Sequence, residues 1–230
     1  MLRSVAASLR DVYGDLEPGI TDPFEMVLLE NAAYLVDDAR RTATFRALKR
    51  AIGTSPEAIL RHSEAEIAEI IAGGGMKPEH RAGKVLESAR VAQRIGLARL
   101  REAVRSDPEV AKKLLREFPS VGEPYADRIL LIAGGHPRIA PDSNALRVLC
   151  RLGFVEEAKS YSTTYRKAAT KAASEVTDAD TARTLHLLLR RHGQEVCKAS
   201  EPRCGLCPLR ETCDWYLSAG EPIGQLLPVQ

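Results

Sequence analysis

The sequence is poor in aromatic residues, and its charges nearly cancel. Aromatic residues make up 5% of the 230 residues, and 33 Lys and Arg face 31 Asp and Glu, for a net charge of +2. This balance excludes a globally cationic nucleic-acid-binding protein, so any such surface must come from the local distribution of charge. The low aromatic content leaves few side chains that could stack on a base.

Long apolar runs are also missing. No stretch of roughly 18 consecutive apolar residues is present, so the sequence predicts no membrane span. The short apolar N-terminal stretch is interrupted by Arg3, Arg10 and Asp11, and it lacks the apolar centre of a signal peptide. We therefore expect a cytoplasmic protein, whose thiols stay reduced.

Helix signals recur along the chain. Asp22 stands immediately before Pro23 in N-cap position, and Ser63 and Glu66 have capping-box spacing. No alternating segment of useful strand length is found. These patterns predict an all-α protein with about ten short helices. We expect a flexible loop at residues 72–78 and a tight turn between two helices in the segment FPSVGEP.

Four of the five cysteines, Cys197, Cys204, Cys207 and Cys213, fall within the seventeen residues CKASEPRCGLCPLRETC. Reduced thiols at this spacing can surround one small centre. A single tetrahedral zinc ion is one interpretation. A [4Fe-4S] cluster is another, and its larger volume suits the uneven spacing. Unligated thiols are the third, although exposed thiols would be open to oxidation. Cys150 lies on an apolar helix face, which predicts core packing.

The cysteine spacing, the preceding RRHGQEVC and the internal PRC resemble the C-terminal loop of endonuclease III, a helix-hairpin-helix DNA glycosylase. The resemblance extends from about Pro23 to Cys213. It implies that the four cysteines bind a [4Fe-4S] cluster. It also implies a six-helix barrel domain at residues 23–136, and an iron–sulfur domain formed by residues 1–22 and 137–230.

The segment FPSVGEPYAD resembles the hairpin of this family. Such a turn can point backbone N–H groups at a phosphate from a helix N-terminus. An ordinary helix–helix connection is the alternative. Glu123 and Asp127 add negative charge here, which Arg116 and Arg128 would offset. The residues expected to contact DNA are Ser120, Val121, Gly122, Lys198 and Arg203.

The segment HPRIAPDSNALRVLCRLGF resembles the family segment that carries the catalytic aspartate. The resemblance implies that Asp142 stabilises positive charge on the sugar, or orients water, as the base departs. Asp142 also has the position of a helix N-cap, and the two roles are compatible. Bifunctional members carry a nucleophilic lysine two residues after the second hairpin glycine, where this chain has Pro124. A lyase reaction by that route is therefore not expected.

The segment AGGGMKPEH occupies the place of the family's intercalating loop, so Met76 or His80 is a candidate wedge. Candidates for the base pocket are Glu30, Asn31, Tyr34 and Tyr125. The plain alternative places Tyr34 in the core and Glu30 in solvent.

These features predict a monomeric, monofunctional DNA glycosylase of base-excision repair that acts on double-stranded DNA containing a damaged base. A single carboxylate works best on a base that is already a good leaving group, which favours alkylated bases. In a prokaryote the protein would associate with the nucleoid. Two alternatives stay open: a non-catalytic iron–sulfur protein that senses lesions or abasic sites, and a zinc-bearing interaction module.

Overall fold

The computed structural model describes residues 1–218, and within them it has thirteen α-helices and no β-strand. The prediction of an all-α fold is confirmed. None of the helices in this range is long and apolar enough to cross a membrane. The helices are α1 (Leu2–Tyr13), α2 (Pro23–Ala32), α3 (Asp38–Ile52), α4 (Pro56–Ile59), α5 (Glu64–Ile70), α6 (Pro78–Ile95), α7 (Leu97–Ser106), α8 (Pro108–Leu115), α9 (Glu123–Ile132), α10 (Ser143–Arg151), α11 (Tyr161–Ala173), α12 (Ala179–Glu195) and α13 (Asp214–Ser218).

Local capping signals start several of these helices. The Asp22 side chain accepts hydrogen bonds from the amides of Phe24 and Glu25, both at 3.0 Å. Ser63 and Glu66 form the complete capping box that their spacing predicts. Each such cap stabilises its helix by about 1 kcal/mol, because it satisfies amides that have no partner inside the helix.

The chain divides into two compact units. The first comprises Met1–Pro18 together with the chain from Gly135 onward, and the second comprises Gly19–Gly134. The boundaries between the two units therefore lie between residues 18 and 19 and between residues 134 and 135. The sequence predicts these boundaries between residues 22 and 23 and between residues 136 and 137. The N-terminal helix α1 belongs with the C-terminal helices because it packs against α12.

The first unit is built on the crossing of α10 and α12. Gly193 allows this crossing, since a Cβ atom at that position would lie 2.6 Å from the carbonyl oxygen of Asn144. The amphipathic helix α1 covers α12 with Leu2 and Leu9, both fully buried. The positions of Asp142 and of the cysteine segment both follow from this crossing.

The second unit is organised around the 18-residue helix α6, which packs against α2, α4 and α5. Phe24, Leu28 and Ile67 are buried in its core. Helices α8 and α9 form the predicted helix–turn–helix with the turn between them. This arrangement places the hairpin and the glycine-rich segment in the same unit.

Candidate functional site

The cysteine segment follows α12 directly, and its short 3-10 turns, Cys204–Leu206 and Arg210–Thr212, fold it back on itself. All four predicted cysteines line one cavity. Arg151 and Trp215 complete part of its wall. The structure thus brings together the four thiols that the sequence selects. Cys150 is half-buried on α10 and does not line this cavity.

Burial raises the pKa of two of these thiols. It raises the pKa of Cys207 to about 11 and also raises the pKa of Cys204, with a smaller contribution from the neighbouring thiols. Without a bound cation these two thiols therefore stay protonated at neutral pH. A metal that binds here must displace their protons.

Nitrogen groups approach two of the sulfur atoms. The Nη1 atom of Arg151 lies 3.3 Å from Cys197 Sγ, and Nε2 of His192 lies 3.4 Å from Cys207 Sγ. The other ring nitrogen of His192 lies 3.1 Å from the Tyr13 hydroxyl. Burial lowers the pKa of His192 to about 4, so the imidazole is neutral at neutral pH. Hydrogen bonds of this kind to sulfur influence the potential of a cluster held by the same thiolates.

Asp142 is the N-cap of α10. Its Oδ1 atom accepts hydrogen bonds from the amides of Asn144, at 3.0 Å, and Ala145, at 2.9 Å. Its Oδ2 atom pairs with Nη1 of Arg190 on α12. The residue is 8% exposed. The capping interpretation of Asp142 is therefore confirmed, and the carboxylate is held by contacts to both of its oxygen atoms.

Arg147 links α10 to the start of the cysteine segment. Its guanidinium donates to the carbonyl oxygens of Cys197, at 2.9 Å, and Gly193, at 2.7 Å, and to the side chain of Asn144, at 2.9 Å. One turn further on, Arg151 donates to the carbonyl of Lys198 at 2.7 Å. Both arginines lie on the helix that Asp142 begins, so one helix braces the carboxylate and the first cysteine.

The hairpin lies in the second unit. Ser120 is exposed with φ of 64°, and its hydroxyl accepts a hydrogen bond from Lys84 at 2.9 Å. The Val121 side chain is buried, and the Val121 amide donates a hydrogen bond to the Phe118 carbonyl at 3.3 Å. Gly122 is exposed and is the N-cap of α9. The Val121 amide is therefore used inside the turn, and Ser120 and Gly122 form its exposed surface.

Two side chains of the second unit support this hairpin. The Nδ2 atom of the buried Asn31 donates to the carbonyl oxygen of Pro119 at 3.0 Å. Lys112 pairs with the buried Asp127 at 2.8 Å. The charge of Asp127 is thus offset by Lys112, a pairing that the sequence interpretation did not assign.

The predicted wedge segment is braced from inside the second unit. Arg81 is 3% exposed, and its guanidinium donates to the carbonyls of Ala32, Ile71, Gly75 and Met76. The segment expected to be a flexible loop, residues 72–78, thus contains the 3-10 turn Ala72–Gly74 and is held by these hydrogen bonds. Gly75 is required here, with φ of 108°, because a Cβ atom would lie 2.2 Å from the Tyr34 carbonyl oxygen.

This bracing presents three apolar side chains to solvent. Tyr34, Leu35 and Met76 are 58%, 74% and 63% exposed. The backbones of Tyr34 and Gly75 form a parallel bridge, in which the Tyr34 amide donates to the Gly74 carbonyl at 2.8 Å. We call these three side chains the apolar tip. The core alternative for Tyr34 is wrong, and Leu35 is a member that the sequence interpretation missed.

The remaining candidates have separate surroundings. Glu30 is half-buried and pairs with Arg41 at 2.8 Å, so the alternative of a solvated Glu30 is not what is found. Tyr125 is buried, and its hydroxyl donates to the Met26 carbonyl at 2.7 Å. His80 is exposed in the first turn of α6. In the cysteine segment, Arg203 is exposed and Lys198 is half-buried.

Several functional candidates were missed because their partners are distant in sequence. Arg81, Arg147, Arg151, Arg190 and His192 all bind groups on other elements. The sequence contains one signal for these residues: Arg147 and Arg151 are four residues apart and therefore lie on the same face of a helix.

Known proteins are similar to this chain in sequence and in fold. The sequence profile of the HhH-GPD superfamily base excision DNA repair proteins matches residues 36–173. The thymine-DNA glycosylase of Aeropyrum pernix is 30% identical over 213 residues, covering 89% of this chain and 89% of that protein. The endonuclease III of Rickettsia conorii is 31% identical over 106 residues, covering 46% of this chain and 48% of that protein.

A solved structure of an endonuclease III trapped covalently on DNA has the same fold. It superposes with a TM-score of 0.74 at 21% identity, covering 95% of this chain and 96% of that one. The profile spans more than half of the present sequence, and the Aeropyrum relative spans most of it. The chain therefore belongs to the HhH-GPD superfamily of base excision DNA repair proteins, as a helix-hairpin-helix DNA glycosylase.

Proposed function

We propose that this glycosylase is monofunctional and that Asp142 drives hydrolysis of the N-glycosidic bond. The bond between C1′ and the base nitrogen breaks, and its electron pair leaves with the base. The Asp142 carboxylate stabilises the positive charge that develops on the sugar, or orients the water whose oxygen then bonds to C1′. One proton of that water passes to the departed base or to solvent. The observation that carries this proposal is the fixed, largely buried carboxylate at the N-terminus of α10.

The proposal of no lyase activity rests on Pro124. A lyase that acts through a Schiff base needs a free amine against C1′. Proline supplies none at the position where bifunctional relatives carry lysine. Near the hairpin, the amines of Lys84 and Lys112 are engaged by Ser120 and Asp127. The expected product is an intact strand with an abasic site.

Base flipping requires side chains that fill the vacated stack. The apolar tip supports this role, because apolar side chains inserted between base steps unstack a duplex. Met76 is one of the two wedge candidates from the sequence, and Leu35 now joins it. We also propose that four residues contact DNA phosphates: Ser120 and Gly122 of the hairpin, and Lys198 and Arg203 of the cysteine segment. In this proposal the protein binds double-stranded DNA as a monomer.

We also propose that Cys197, Cys204, Cys207 and Cys213 hold a [4Fe-4S] cluster. Four sulfur donors around one cavity supply the ligand set that such a cluster needs. Within residues 1–218, no three His, Cys, Asp or Glu side chains are grouped closely enough to hold a single metal ion. The choice of a cluster over one zinc ion rests on the resemblance of the cysteine spacing to that of endonuclease III. The cluster would stabilise the C-terminal segment, and no step of the hydrolysis passes through it.

Two classes of base are candidates. Alkylated bases suit a lone carboxylate, because their glycosidic bond is weakened before binding. Mismatched thymine is favoured by the relative from Aeropyrum pernix, which is a thymine-DNA glycosylase and covers most of the chain. The non-catalytic lesion sensor and the zinc module remain as the alternatives to be tested.

The test is incubation of the protein with duplexes that contain thymine or uracil opposite guanine, 3-methyladenine or 7-methylguanine. We expect release of one class of base, strand cleavage only after alkali, and no covalent complex with borohydride. Efficient borohydride trapping would show that another amine acts on the sugar. Binding without release of any base would favour the sensor. A colourless protein containing zinc would favour the interaction module.

A further inference from the structure

We infer that Arg190 selects bases that leave as anions, namely uracil and thymine, and rejects cationic alkylated purines. The inference rests on the proposed role of Asp142 and adds the substrate class. It starts from the ion pair between Arg190 of α12 and the Asp142 carboxylate. The two side chains are 20% and 10% exposed, so this pair is largely removed from solvent.

Both oxygen atoms of the carboxylate contact positively charged or polarised groups. Arg190 pairs with Oδ2, and the N-terminus of α10 places two amides on Oδ1. Arg147 lies close enough for the charge of Asp142 to act on it. One guanidinium and a helix N-terminus therefore contact the carboxylate, and a second guanidinium lies within range of its charge.

This charge distribution distinguishes the two kinds of leaving group. A base methylated at a purine ring nitrogen is cationic in DNA and leaves as a neutral molecule. A pyrimidine is neutral in DNA, and without prior protonation it keeps the electron pair of the C1′–N1 bond and leaves as an anion. Because Arg190 contacts the carboxylate that we propose to act at C1′, its guanidinium would attract the departing anion and repel the cationic purine. Arg190 also neutralises part of the negative charge that would draw a cationic base toward Asp142.

Single-turnover excision rates of three substitutions test the inference. Arg190→Gln removes the charge, Arg190→Lys keeps it, and Arg183→Gln removes a charge elsewhere on α12, where Arg183 pairs with Asp180. The substrates are uracil and thymine opposite guanine and a duplex with 7-methylguanine. Binding to a duplex with a tetrahydrofuran abasic analogue, together with thermal unfolding, reports the integrity of each variant.

We expect the unmodified protein to release uracil and thymine much faster than 7-methylguanine. Removal of one group that stabilises developing negative charge typically lowers a rate roughly a hundredfold, so Arg190→Gln should lower pyrimidine release by about that factor. The rate of 7-methylguanine release should not fall in this variant. The ratio of the pyrimidine rate to the 7-methylguanine rate should therefore decrease strongly. Arg190→Lys should retain more of the ratio than Arg190→Gln, and Arg183→Gln should retain all of it.

An unchanged ratio in a folded Arg190→Gln protein would overturn the inference. So would faster release of 7-methylguanine than of uracil by the unmodified protein, a result that needs no variant to fold. Both results would leave the proposed hydrolase intact. Failure of the unmodified protein to release any base in the panel would instead overturn the proposed function.

Discussion

Nη1 of Arg151 lies 3.3 Å from the sulfur of Cys197, and its guanidinium carbon lies 4.7 Å from the centre of the Trp215 ring. Trp215 is the single tryptophan of the sequence, and it lines the cysteine cavity. Its fluorescence is therefore a local reporter of what the cysteines bind.

We predict that Trp215 emission is strongly quenched in the protein as isolated. An iron–sulfur cluster absorbs broadly around 400 nm, and energy transfer from a ring in its cavity wall is efficient at such short range. Oxidative removal of the cluster followed by chelation should restore the emission. Trp215→Phe provides the background from tyrosine. Strong emission that chelators leave unchanged would argue for zinc or for free thiols.

Replacement of one cavity cysteine should remove iron and loosen the C-terminal segment. Cys207→Ser is expected to abolish the brown colour and to expose residues beyond about Thr181 to protease, because metal ligation contributes directly to folding. Cys150→Ser is the matched control, since Cys150 lies on α10 outside the cavity. Iron and sulfide analysis with limited proteolysis measures both effects. A Cys207→Ser protein with full iron content would contradict the ligand assignment.

Arg81→Met should lower the free energy of unfolding by about 3 kcal/mol, because it leaves four carbonyl groups without their shared donor. Arg81→Lys should be intermediate, since an ammonium lacks the planar set of five donors. Arg90→Met on the same helix removes an exposed arginine paired with Glu87 and should cost less than about 0.5 kcal/mol. Urea unfolding checks the series. Equal costs for Arg81→Met and Arg90→Met would show that the bracing contributes little.

Shortening the apolar tip should impair base flipping without loss of stability. Leu35→Ala and Met76→Ala remove exposed side chains, so unfolding should shift by less than about 0.5 kcal/mol. Excision from duplex DNA should fall, whereas excision from an already unpaired base should be affected less. Val110→Ala, an exposed apolar position on α8, is the control. Normal duplex excision by both tip variants would remove these residues from the flipping step.

The local features of the fold were predictable, and the distant pairs were not. The Asp22 cap and the Ser63–Glu66 box depend on neighbours within three residues, so the sequence displays them directly. The grouping of the four cysteines was predicted from their spacing, whereas their assignment to a cluster came from the resemblance to endonuclease III. In contrast, Asp142 and Arg190 are 48 residues apart and meet only because α10 and α12 cross at Gly193.

Exposure was the least predictable property. Leu35 belongs to an apolar run that suggests burial, yet it is 74% exposed, with φ of 55°. The buried guanidinium of Arg81 holds the adjoining backbone in place, and no pattern in the glycine-rich segment revealed its partner. The hypotheses for the apolar tip and for Arg190 therefore required the structure.

The most direct test of the proposed hydrolase is single-turnover excision by Asp142→Asn, on whichever duplex the unmodified protein processes. Asparagine is as good an N-cap as aspartate, so α10 should persist while the negative charge is lost. Thermal unfolding and binding to an abasic duplex verify that the fold and the DNA surface are retained. We expect Asp142→Asn to bind the abasic duplex about as well as the unmodified protein and to lower the excision rate by at least about a hundredfold. Excision at an unchanged rate by a folded Asp142→Asn protein would contradict the central role given to this carboxylate.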